Sequence, residues 1–489
     1  MSKKLQVLLL CIVLAAVAAA SLLLATDVTV QSTVFMDVME NSLPEIVMPW
    51  GTVHIPLAAW YLTLGWSVVG TVWCFTRKRV NLPALTFMLL LLSGLMVMGA
   101  MWPHTNKGWD YVVHAEWVRI FAGMAGYTPA DYLVSFNTWF FGYAPYIAGS
   151  AAAGLLGFTA AAAELAGMLT GVVFYATLCA AAVGIAPKYK MAFMAASVVP
   201  TALFQAANVS YDAPIVACIL LGTALLLREI HTPDKRLEGR SAVAMTTLFT
   251  LGTIAKPTYS LSLLLLCLLP GSKFAGRKQR IAFCLFAAVL FAACAGSMAL
   301  GMYDDQLDGD DRMEGSDPAG QIAALLDDPI AWLSVLGNYL LHDMPDLFLQ
   351  GGCAWAYFGT HPLLGTFVLV TLLLSAFVSI DEKHASVMTW RRRVWIALAA
   401  FLPLLGLILA QYLVSTPVGS MKIVGMQSRY VLPVLIFVAL ALALPDKWRM
   451  QFSRFGRIGA AAVTAVMLAT VFISGWMYCI VGAQGVVFP

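Results

Sequence analysis

Apolar runs of roughly 17 to 22 residues recur along nearly the whole chain, each long enough to cross ~30 Å of hydrocarbon as a helix. In hydrocarbon every backbone N–H and C=O must be satisfied within the protein, which restricts spanning structure to helices and closed barrels. Composition agrees: of 489 residues 61% are hydrophobic and 11% charged, with a mean hydropathy of +0.82. Soluble domains carry about 25% charged residues. In water a chain of this length would divide into about two or three cores; in a bilayer one helical bundle can take all of it. The net charge of +3 is spread over short loops and forms no basic face, which argues against a nucleic-acid partner.

Seven of the nine cysteines (Cys11, Cys74, Cys179, Cys218, Cys267, Cys284 and Cys294) fall inside apolar runs, where they act as small hydrophobes. Cys353 and Cys479 fall near the expected outer surface, and a bridge between them is left open. The sequence contains no CxxC and no Cys/His metal spacing. The segment 5–25, after Lys3-Lys4, resembles a signal peptide but is longer than a usual signal core, and is read as an uncleaved first span.

Basic clusters orient the spans. They lie at Lys3-Lys4, Arg77 to Arg79, Lys188 to Lys190, Lys235 to Arg240, Lys273 to Arg280, Arg391 to Arg393 and Lys447 to Arg457. With all of them cytoplasmic, the expected spans are 5–25, 55–75, 82–101, 165–186, 191–208, 211–228, 241–255, 257–270, 281–301, 362–380, 394–414, 430–445 and 458–480. The reading is an all-α polytopic membrane protein, a single transmembrane domain over 1–489, with about thirteen spans. It puts the N-terminus inside and the C-terminus outside. The stretch 241–270 is basic at both ends and too short for two full α-helical spans. Lys256-Pro257 at its centre predicts two short helices meeting at a break.

Three outer segments are long. The first, 26–54, is apolar and β-branched. The second, 102–164, is the first large outer loop, with an expected interfacial helix over 108–123. The third, 302–361, opens with acids and continues as an expected amphipathic helix over 318–341.

Ionisable residues are few inside the spans and crowd the outer loops, a pattern that favours a surface enzyme over a channel or carrier. Asp110, His114 and Trp117 share one helical face at i, i+4 and i+7. A carboxylate and an imidazole there suit a general base; an interfacial helix with ordinary polar decoration is the plainer reading. In Asn208-Val209-Ser210-Tyr211-Asp212 the polar residues serve either a helix cap or a site. Lys256, at the outer break, either snorkels or holds an anion. Asp317-Pro318 opens a helix in the ordinary way, after an acidic stretch without EF-hand spacing. Arg429, at the mouth of a span, offers a planar donor fork suited to phosphate or else anchors its helix.

Together these segments resemble a bacterial membrane-protein family, domain of unknown function 2142, whose members look like glycosyltransferases of the GT-C superfamily. The resemblance runs from about residue 100 to 445. It rests on Asp110 with His114, Ser210-Tyr211-Asp212, Lys256-Pro257, Asp317-Pro318 with Gln321, and Gln427-Ser428-Arg429-Tyr430 followed by Leu432-Pro433. Two departures stand out. The family's first loop carries a Pro-Asp-Glu-like run where this chain has Gly108-Trp109-Asp110, and its Gln-Gly-Arg-Tyr appears here with Ser428.

The resemblance implies transfer of a sugar from a polyprenyl-phosphate donor to an envelope glycan or lipid-linked acceptor at the extracytoplasmic face of the plasma (inner) membrane, with inversion. Asp110 would be the base and His114 its neighbour. Arg429, Lys256 and Gln427 would hold the donor phosphate, and Trp109, Tyr211, Asp212, Asp317 and Gln321 would line the substrate site. No metal site or cofactor is implied, though a divalent cation is left open. The rival readings are a flippase or transporter of lipid-linked saccharides, and a non-catalytic subunit of an envelope-assembly complex.

Overall fold

The computed structural model describes residues 45–48, 51–54, 81–101, 111–123, 139–305, 315–355, 362–379, 388–443 and 450–451. Among them the protein is helical. The strands are two short pairs: an antiparallel hairpin of β1 (Glu45–Met48) with β2 (Gly51–His54), and a parallel contact of β3 (Val378–Ser379) with β4 (Met450–Gln451).

The helices are α1 (Leu82–Met101), α2 (Tyr111–Phe121), α3 (Trp139–Leu155), α4 (Ala160–Ile185), α5 (Lys190–Ser197), α6 (Pro200–Ala207), α7 (Asp212–His231), α8 (Gly239–Ile254), α9 (Arg277–Asp305), α10 (Pro318–Asp327), α11 (Pro329–Asn338), α12 (Met344–Gly352), α13 (Pro362–Phe377), α14 (Trp390–Val414) and α15 (Leu435–Leu442). Two 3₁₀ segments matter for the site: Pro257–Leu268, after α8, and Ser428–Val434, before α15.

Four helices, α4, α7, α14 and the 277–297 part of α9, are long and apolar enough to cross a bilayer. The count becomes five if α5 and α6, bent by 54° at their junction, form one span. The bend falls where Pro200 starts α6 and Val199 is extended, so the expected continuous span 191–208 is a broken one. Other expected spans coincide with shorter apolar helices at 82–98, 257–268, 364–377 and 428–442. Those at 5–25, 55–75 and 458–480 lie outside the described residues.

The centre of the bundle is α7, whose apolar window is 94% buried. It packs against α4 and α8, and α4 packs in turn on α1 and α3. Apolar faces on α9 and α14 are left outward, with Ile281, Leu285, Phe286, Val289, Leu398 and Phe401 all exposed. In a membrane protein such a surface meets lipid.

The short stretch 241–270 resolves by geometry. The 16 residues of α8 rise about 24 Å. The 12 residues of the 3₁₀ segment, at ~2.0 Å each, also rise about 24 Å. Overwinding lets a dozen residues match a longer α-helix.

Two other expectations change. The 102–164 segment holds, besides the short helix α2, an apolar helix α3 packed on α4. The helix expected over 318–341 is broken at Asp328 (φ −136°, ψ 79°), because Pro329 drives the preceding residue out of the α region.

Candidate functional site

The site gathers at the N-terminal end of α7. Ser210 Oγ accepts the Asp212 N–H (3.2 Å), while Tyr211, at the N-cap position, makes no side-chain cap bond. The Asp212 carboxylate is fully buried.

Two cations meet it. Lys256 is the residue before Pro257, so it leaves the helix (φ −144°, ψ 81°) at the turn between α8 and the 3₁₀ segment. Its Nζ lies 3.4 Å from Asp212 Oδ1. Arg429, in the second 3₁₀ segment, places Nε 3.3 Å from Asp212 Oδ2. Side-chain exposure is 1% for Asp212, 2% for Arg429 and 12% for Lys256. Among the described residues one carboxylate thus faces two cations, Arg429 buried and Lys256 largely so.

Aromatic rings wall it. Lys256 Nζ sits 3.6 Å from the centroid of the Tyr430 ring and 5.5 Å from that of Tyr211, in cation–π positions. Tyr259 donates its hydroxyl to the Tyr430 carbonyl (2.7 Å), tying the two 3₁₀ segments together. On the other side His114, buried on α2, is hydrogen-bonded through Nδ1 to the Tyr143 hydroxyl. Its ring meets Tyr211 edge-on at 5.1 Å, and Tyr143 meets Tyr211 at 5.7 Å. Gly142 lets α3 close on this corner. A β-carbon there would lie 3.0 Å from that of Ala255 and nearer still to that of Tyr211.

Of the residues expected from sequence, His114, Tyr211, Asp212, Lys256 and Arg429 therefore come together. Gln427 adjoins them in the chain, and its Oε1 is buried with no hydrogen-bond partner among the described residues. Trp109 and Asp110 lie outside the described residues. Asp317 and Gln321 belong to a second locality. Asp317 caps α10 by accepting from Ala319 N–H (3.0 Å), and Gln321 Oε1 accepts from Gly419 N–H (2.9 Å). Cys353 is buried, and Cys479 lies outside the described residues. No group of three metal-ligating side chains occurs among the described residues.

Sequence reasoning missed Tyr143, and gave no role to Tyr259 and Tyr430, which lie inside segments it singled out. The signal for Tyr143 was there: a glycine inside the aromatic run Trp139-Phe140-Phe141-Gly142-Tyr143. On the flank of α2, Tyr111 donates to Glu164, which also pairs with Arg119 (2.9 Å). Burial, and then the Glu164 carboxylate, push the Tyr111 hydroxyl well above the ordinary phenol range, so it remains a donor.

Fold and site together define a polytopic helical membrane protein with a cluster of Asp212, Lys256 and Arg429 at one end of its central helix. The family described as "Predicted membrane protein (DUF2142)" matches residues 140–438, more than half of the chain, and the chain belongs to that family. No curated protein and no solved structure matches it.

Proposed function

We propose that the protein is a membrane glycosyltransferase of the GT-C kind, working at the outer face of the plasma membrane with about thirteen spans in all. The observation that carries this reading is the shared carboxylate: Asp212 draws Lys256 and Arg429 together at one end of the central helix, and a lysine beside an arginine fork is a donor set suited to phosphate. A polyprenyl phosphate supplies that anion on a chain that stays in the bilayer. Arg429 offers it a planar fork and Lys256 a point charge. Gln427 brings a side-chain amide to the same place.

In the reaction the Asp110 carboxylate takes the proton of an acceptor hydroxyl. The acceptor oxygen bonds to the anomeric carbon as the bond from that carbon to the donor phosphate oxygen breaks. The lipid phosphate leaves with the electron pair, and Arg429 and Lys256 receive its charge. A single displacement inverts the anomeric centre.

The test uses purified full-length protein and a radiolabelled polyprenyl-phosphate sugar. Asp110→Asn keeps shape but cannot accept a proton. It is expected to fold, insert and bind donor while transfer falls about 10²-fold or more. His114→Ala should cost less. Near wild-type transfer by well-folded Asp110→Asn protein would remove Asp110 from the reaction.

A second reading has one observation in its favour. The broken helix pair α5–α6 leads directly into the turn before Asp212, and carriers build sites from discontinuous helices. A carrier would move the lipid-linked sugar across proteoliposomes without forming product, at a rate indifferent to Asp110→Asn.

A further inference from the structure

At the far end of α7 from Asp212, an open groove of about 750 Å³ lies between the start of α14 and the chain joining the first 3₁₀ segment to α9. Its floor is apolar: Cys267, Leu268, Leu269 and Pro270. Its rim carries Arg280, Arg391 and Arg392, and no carboxylate lines it among the described residues. Two tryptophans complete it, Trp390 and Trp395, exposed by 77% and 54%.

Arginines at a membrane surface need no ligand, since they fix topology and snorkel. Here, however, they converge. The Arg280 guanidinium folds back against Gly271, whose β-carbon would lie 3.4 Å from Nη1. Arg391 and Arg392 line the same groove from α14. The adjoining walls run on as apolar, exposed faces: Ile281, Leu285 and Phe286 on α9, Val394 and Leu398 on α14. A second basic pocket, around Arg228, Lys235, Arg236 and Arg240, lacks this continuation and includes Glu229 and Glu238.

We propose that the groove between α9 and α14 binds an anionic diacyl phospholipid from the bilayer, with its phosphate among Arg280, Arg391 and Arg392, its interfacial region against Trp390 and Trp395, and its acyl chains along the exposed faces of the two helices. Basic pockets between membrane helices take anionic headgroups in this way, and indoles sit at the headgroup level. The lipid completes a surface that the protein leaves half apolar and half cationic.

The test is tryptophan quenching in the full-length protein by doxyl-labelled phosphatidylglycerol and, separately, doxyl-labelled phosphatidylcholine. The wild type should show half-maximal quenching at about a hundredfold less phosphatidylglycerol, since each of the three arginines contributes about fivefold to anionic-lipid binding. Trp390→Phe/Trp395→Phe should remove the differential signal, and Arg280→Gln/Arg391→Gln/Arg392→Gln the preference itself. The triple lysine variant should keep the preference, because charge is conserved. If the triple glutamine variant does not insert, Arg280→Gln alone, outside the Arg391 to Arg393 run, should lose about fivefold. Equal quenching by the two lipids overturns the proposal, as does a preference that survives loss of the arginines. Displacement by soluble glycerol phosphate at comparable concentration would show that no acyl chain is held. Stronger displacement by polyprenyl phosphate would assign the groove to a different lipid. Either result also overturns it.

Discussion

The two ends of α7 use the same ingredients to opposite effect. At one end Asp212 faces Lys256 and Arg429; at the other, about 25 Å along the helix, Glu229 faces Lys273 and Arg228. Each has one carboxylate and two cations. The Glu229 end is closed by short bonds: Lys273 lies 2.8 Å from Glu229 and 3.0 Å from Thr232, and Arg228 reaches both Glu229 (3.0 Å) and Ser241 (3.1 Å). Its surplus charge sits on Arg228, which is 38% exposed and answered by water. At the Asp212 end the contacts are longer, 3.4 and 3.3 Å, and the second cation, Arg429, is only 2% exposed. Equal charge counts therefore do not make equal sites. Bond length and the exposure of the second cation separate a structural clamp from the looser cluster proposed above as a seat for an anion.

The largest expected effect tests the clamp. Lys273→Met leaves Glu229 with only its half-exposed partner and should cost about 3–5 kcal/mol of stability, the usual result of breaking a buried pair. Thermal unfolding in detergent measures it. A loss under roughly 1 kcal/mol, the range of exposed pairs, would erase the distinction drawn above.

The next tests the seat. Arg429→Lys keeps the charge and gives up the fork. The apparent KM for lipid donor should rise about tenfold, equivalent to about 1.4 kcal/mol, with little change in unfolding temperature. An unchanged KM alongside a lowered unfolding temperature would make Arg429 an anchor.

Much of this was legible in the sequence. Lys256-Pro257 announced a break because proline acts on its neighbour through local sterics, and basic clusters marked the helix ends. Other features were hidden for a physical reason. A 3₁₀ segment of 12 residues has no composition that distinguishes it from a short α-helix, so the stretch 241–270 looked too short. Helix α3 has no basic flank, so a charge map passes over it. The partners of Asp212 lie far along the chain, and nothing local ties Arg429 to it; the capping reading of Ser210-Tyr211-Asp212 was half right, since Ser210 accepts the Asp212 N–H. Glu229 drew no attention because it sits in an ordinary basic helix end, and Lys273 was read only as part of a basic cluster.

The smallest effect is a null result that guards the comparison. Arg240 and Glu238 make the shortest ion pair at that end of the bundle, 2.6 Å, yet the two are 87% and 60% exposed. Arg240→Gln should change neither unfolding temperature nor donor KM measurably, because exposed pairs contribute little whatever their length. A clear loss would mean that distance alone, without burial, decides which clusters matter.

The hydrogen bond from Tyr259 to the Tyr430 carbonyl joins residues 171 positions apart. At ~5–20 residues per second, ribosomal synthesis separates their appearance by roughly 10–35 s. Through that interval Asp212 and Lys256, both already made, can neutralise one another in the nascent bundle, and neither charge enters the membrane uncompensated. Arg429 arrives last and finds the carboxylate already engaged. The second cation on Asp212 is thus a product of the order of biogenesis, and it arrives only when the 3₁₀ segment Ser428–Val434 has docked. A truncated chain ending before Ser428 would carry the Asp212–Lys256 pair without Arg429.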